Sequence, residues 1–160
     1  MNIRMAVKAV SLVLFMSASG SLFWTTPAHS QSVPSRVFVV PPHNEIHMTT
    51  GGTTWCVNVE PVNGTFQVTD IDPCTVVLSS PGTGSVSQIS YDCTKSTVVA
   101  DADGNGLLDM RFCFTKLSMQ PLFDHLHGNK PKSVTLTISG RTYLGQVFGG
   151  SVTVLLYLNG

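Results

Sequence analysis

The feature that most constrains this chain is a period-two alternation that begins near Val37 and recurs almost to the end, carried by β-branched and aromatic residues. Such residues suit a pleated, half-buried surface, and the alternation turns one side of each segment inward. Trp55, Val57 and Val59 share one face of Thr53 to Glu60, with Cys56 and Asn58 on the other. Met110, Phe112 and Phe114 oppose Arg111, Cys113 and Thr115, and Val134, Leu136 and Ile138 oppose Thr135 and Thr137. Val37 to Val40 reads as a strand stopped by Pro41-Pro42, and Glu45 to Thr49 with Thr53 to Glu60 as a hairpin around Gly51-Gly52. Cys74 to Leu78, Gln88 to Tyr91 and Thr97 to Ala100 are further strands, and Thr142 to Phe148, Gly149-Gly150 and Ser151 to Leu158 a closing hairpin. One short helix is expected within Leu117 to Leu126, held to two turns by Pro121. Eight to ten short strands with turn signals between them predict an all-β fold, an immunoglobulin-like antiparallel β-sandwich.

The first thirty residues do not belong to that pattern. Arg4 and Lys8 precede an apolar run from Ala9 to Met16, and Ala28 and Ser30 stand at small-residue positions. The run is shorter than the roughly 20 residues needed to cross a bilayer, so residues 1–30 read as a secretory signal of bacterial type. Residues 31–36 read as a flexible leader and 37–160 as one domain. No later segment is long and apolar enough to span, so the product is expected secreted, periplasmic or at the cell surface. Without Arg4 and Lys8, seven basic residues face nine acidic ones, a net charge of −2. That balance argues against nucleic acid as a partner, which demands a concentrated basic face.

All four cysteines, Cys56, Cys74, Cys93 and Cys113, lie in the exported part, where disulfides form. Three pairings are possible on sequence alone. If Cys56 and Cys113 sit outward on neighbouring strands they pair, leaving Cys74 with Cys93. No two cysteines are close enough in sequence to suggest a zinc site.

The densest chemistry is DADGNGLLD, Asp101 to Asp109. Oxygen ligands at alternate positions of a curved loop converge on one point, as a hard cation requires. The expected ligands are Asp101, Asp103, Asn105, the Leu107 carbonyl and Asp109, with calcium as the ion. An EF-hand would place Glu at the twelfth position, where this chain has Phe112. The loop is therefore predicted to be a calcium clamp between two strands.

In order, the chain presents WCVNVEP, VTDIDPCTVVLSS, VVADADGNGLLDMRFCF and SVTLTISG. That succession resembles the calcium-binding β-sandwich modules of secreted bacterial and archaeal proteins, over roughly Val37 to Leu158. The resemblance implies a module without catalytic residues that acts in exported assemblies. The four cysteines and the apolar VLLYLNG ending depart from that pattern.

Other chemistry is sparse. Asp124, His125 and His127 place a carboxylate and two imidazoles together, the basis for a small metalloenzyme, but Gly128-Asn129 follows at once and suggests a loop. No G-x-S-x-G motif or isolated carboxylate pair signals a hydrolase. The expected function is a non-catalytic structural, adhesive or interaction module that binds other exported proteins or itself. A carbohydrate-binding module is the alternative, and it would need glycan-facing aromatics among Tyr91, Tyr143 and Tyr157.

Overall fold

The computed structural model describes residues 32–41 and 44–159. The expected signal segment falls outside them. Nine strands and one helix follow in the order β1 (Val33–Phe38), β2 (Glu45–His47), β3 (Thr54–Pro61), β4 (Ile71–Ser79), β5 (Gln88–Ser90), β6 (Val98–Ala100), β7 (Asp109–Thr115), α1 (Lys116–Phe123), β8 (Lys132–Thr142) and β9 (Val147–Tyr157). The strands connect as β5-β4-β8-β9-β1-β3-β7-β6, with β2 also on β9. The described residues are therefore β-rich, with a single short α-helix among them, as the alternation predicts.

Two ladders make up this path, β1-β3-β7-β6 and β5-β4-β8-β9, and they share one hydrophobic core. Val57, Val59 and Phe112 from the first pack in the same cluster as Leu136, Ile138 and Phe148 from the second. Tyr91 joins them, its ring edge-on to Phe112 at 5.1 Å. Truncating Phe112, which has no exposed surface, to alanine should cost about 3–5 kcal/mol through lost burial and the cavity left behind.

The sheet is mixed rather than purely antiparallel. Val33 and Pro34 of β1 pair in parallel with Phe148 and Gly149, while Glu45 to His47 of β2 pair in parallel with Leu155 to Tyr157 further along β9. Between these contacts β1 leaves β9 and pairs antiparallel with β3, from Ser35 opposite Pro61 to Phe38 opposite Asn58. Residues 33–36 are thus part of a strand, not a loose leader.

The crossing accounts for Gly150, one of the two adjacent glycines expected at the turn of the closing hairpin. Gly149 and Gly150 lie inside β9, and the reversal occurs instead at Tyr143 to Gln146. A Cβ on Gly150 would stand 2.7 Å from the Ser35 carbonyl oxygen and 2.6 Å from a Val37 methyl, so β1 can cross only over a residue with no side chain. Gly51-Gly52 likewise does not close a hairpin, because β2 pairs with β9 and β3 pairs with β1 and β7. Glycine marks close backbone approach as well as turns, and composition cannot separate the two.

The helix is two turns long, with Pro121 inside it and the Thr115 side chain accepting the Ser118 N–H at its start. Disulfides join Cys56 to Cys113, directly opposite on β3 and β7, and Cys74 to Cys93. Each should stabilise by about 2–4 kcal/mol, chiefly by restricting the unfolded chain.

Candidate metal centre

The site grows from the outward face of β3 and β7. With Trp55, Val57 and Val59 in the core, Cys56, Asn58 and Glu60 point the other way, and on β7 so do Asp109, Arg111 and Cys113. Register sets these opposite one another. Cys56 faces Cys113 and is bonded to it; Asn58 faces Arg111, whose Nε donates to Asn58 Oδ1 at 3.1 Å. One step along, at the ends of the same two strands, stand Glu60 and Asp109, two carboxylates. Like charges across a strand pair are destabilising, and here both residues are buried, at 4% and 1% exposure.

The loop before β7 adds a third carboxylate. One oxygen each from Glu60, Asp103 and Asp109 lies within 4.8 Å of the others, and this is the group of three or more acidic, histidine or cysteine ligands found among the described residues. Gly104 and Gly106, at φ 76° and 88°, turn the backbone so that its N–H groups face inward. They wrap the Asp101 carboxylate, which accepts Gly104 N–H at 2.8 Å, Asn105 N–H at 3.0 Å and Gly106 N–H at 2.9 Å. Asp101 therefore shapes the loop and stays outside the converging group.

The remaining expected ligands are placed as follows. The Asn105 amide oxygen accepts Leu107 N–H at 2.8 Å, and its nitrogen donates to Glu60 Oε2 at 2.7 Å. The Leu107 side chain is half exposed. Asp109 Oδ2 accepts the Ala102 N–H at 2.8 Å, but Oδ1 is buried with no hydrogen-bond donor. Burial, with Glu60 and Asp103 close by, pushes the Asp109 carboxyl up to about 6. Arg36, opposite Glu60 on β1, reaches into the group from the other side. Its Nη1 lies 3.1 Å from Glu60 Oε2 and 2.7 Å from Asp103 Oδ2, and the hydrogen bond to Asp103 is the main reason its pKa is raised.

These residues fit a hard cation. The donor set is all oxygen, and the buried Asp109 Oδ1 is an acceptor that a cation would satisfy. Glu60 was missed by sequence reasoning. It lies far from the loop in sequence, and its only advance signal was a carboxylate on the outward side of an alternating strand.

The second cluster does not assemble. Asp124 accepts Ser85 N–H at 2.6 Å and Ser85 Oγ–H at 2.5 Å, tying the Ser80–Ser87 loop to the end of α1, and these bonds hold its carboxyl below the usual range. His125 Nε2 stands 3.9 Å from Asp124, and both His125 and His127 are exposed. Elsewhere, a cleft of about 630 Å³ opens beside β2 and β3, lined among others by Val40, Ile46, Trp55, Arg111 and Lys116. Cys56 at its wall is held in a disulfide, so the cleft offers no thiol nucleophile.

Among the described residues no helix is long and apolar enough to cross a membrane. No protein-family model matches the chain, and no curated protein or solved structure matches it significantly.

Proposed function

We propose that this chain is an exported, non-catalytic β-sandwich of immunoglobulin-like type, clamped by one calcium ion, that works as a structural or adhesive module on other exported proteins or on itself. The observation that carries the reading is the buried Glu60–Asp109 pair, joined by Asp103, with Asp109 Oδ1 lacking any donor. Glu60, Asp103 and Asp109 would hold the ion, and Asn105 could add its amide oxygen after the amide turns. The ion would neutralise the acidic row and fix the bend into β7; it has no reaction to promote there. Two core-sharing ladders support the layered architecture, and two disulfides suit an oxidising compartment outside the cytoplasm.

An interaction role is supported by what surrounds the loop. Leu107 and Leu108 on the loop and Val98 on edge strand β6 are each about half exposed. Unpaired strand edges with apolar side chains favour association with another chain. The carbohydrate-binding alternative has less behind it, because Tyr91 is buried and Tyr157 is stacked on His47 at 4.3 Å, leaving Tyr143 as the exposed tyrosine.

Calorimetry with calcium and with chelator tests the clamp. Calcium at a hundredfold excess over Kd should add about 2.7 kcal/mol of stability, and Asp103→Ala should remove the response. Identical melting curves in the two conditions would refute the metal reading. Size-exclusion chromatography in calcium, showing a strictly monomeric protein that retains no exported partner, would refute the interaction role.

A further inference from the structure

Arg36 stands where an incoming cation would have to compete. A single guanidinium nitrogen, Nη1, holds Glu60 Oε2 and Asp103 Oδ2 at once, so two of the three carboxylates that would ligate calcium are already held by a positive charge. The register makes this no accident of a long side chain, since Arg36 is directly opposite Glu60 in the β1–β3 pair. Asn105 donates to the same Glu60 oxygen. Donors thus converge on one oxygen each of Glu60 and Asp103, and the buried Asp109 Oδ1 has none.

We infer that Arg36 is a built-in competitor for the metal centre: it neutralises Glu60 and Asp103 in the metal-free protein and must give up those contacts when a divalent cation binds. This rests on the calcium reading and adds to it what sets the affinity. A guanidinium bonded to two carboxylates repels a divalent ion drawn to the same oxygens, so part of the binding energy goes to breaking its hydrogen bonds. The released side chain has a place to stay. It is 44% exposed, and its guanidinium carbon lies 4.2 Å over the Phe38 ring, whose face attracts a cation. A three-carboxylate site weakened in this way would fill and empty with extracellular calcium, where modules bind with Kd of about 10⁻⁴–10⁻³ M.

The test is calcium titration of the purified protein and its Arg36→Gln variant by isothermal calorimetry, with melting curves in chelator. Arg36→Gln should bind calcium about ten- to a hundredfold more tightly, as expected from removing two hydrogen bonds between charged groups, and should melt lower than the parent without metal. Arg36→Lys, which keeps the charge on a more strongly hydrated ammonium, should fall between. If the parent binds and Arg36→Gln binds no more tightly, the competitor role is overturned while the calcium clamp stands. Absence of binding in both removes the clamp and the competitor together. Binding by Arg36→Gln alone supports the competitor in its strongest form. Should the variants fail to fold, nitrogen NMR of the Arg36 side chain in the parent decides: its signal should move with calcium occupancy, and a signal unchanged at saturation overturns the inference.

Discussion

Two short stretches of this chain crowd acidic or metal-ligating side chains together in sequence, and the fold treats them in opposite ways. Asp101 to Asp109 enters a strand, so Asp109 is fixed in a ladder beside Glu60 and opposite Ala100 of β6, and the loop is drawn over both. Asp124 to His127 leaves a helix, and its one carboxylate is spent on Ser85 while both imidazoles point into solvent. Proximity in sequence is therefore a poor measure of a site. What assembles one is a rigid neighbour on another strand that supplies the ligand the local segment lacks.

The largest effect should come from removing that neighbour. Glu60→Gln is expected to abolish the calcium-induced rise in melting temperature, a loss of about 2.7 kcal/mol at hundredfold excess, measured by calorimetry. A calcium response that survives would return the site to the loop alone and erase the contrast.

Asp109 gives the next effect, visible without metal. Its folded-state pKa of about 6 lies above the usual aspartate value, so between about pH 4 and pH 6 the folded protein binds more protons than the unfolded one. Ionising it then costs stability as pH rises through that window. In chelator, Asp109→Asn should become more stable than the parent, by on the order of 1–2 kcal/mol above pH 6 and by much less at pH 4. Paired denaturant titrations across this range give the difference, and a flat profile would mean the pair is not strained.

The smallest effects belong to the other stretch. Asp124→Ala should lower the melting temperature slightly, by freeing the Ser80–Ser87 loop, and leave the calcium shift unchanged. His125→Ala with His127→Ala should alter neither stability nor the response to added zinc. Tight zinc binding lost in that double variant would overturn the comparison from its other end.

The strands with clean alternation were legible because burial is local: Trp55, Val57 and Val59, or Met110, Phe112 and Phe114, need only one covered face to declare themselves. The loop was legible for the same reason, since Asp101, Asp103 and Asp109 lie on one short segment. Partnership was not. Gly149-Gly150 looks like a turn until β1 is seen crossing it, and Glu60 looks like an ordinary outward charge until Arg36 and Asp109 flank it. Both depend on residues far away along the chain, and no periodicity carries that information. Asp101, an expected ligand, accepts three N–H groups of its own loop, which the spacing of its acidic residues did not signal.

The route of β1 also orders events in time. The strand that opens the described chain hydrogen-bonds to the one that nearly ends it, and in passing over Gly150 it stitches one ladder to the other. Contacts of such long range form only after the loop-closure entropy of everything between has been overcome. Until β9 is available the two ladders lack this seam, so they lock together only when the last strand of the described residues has formed.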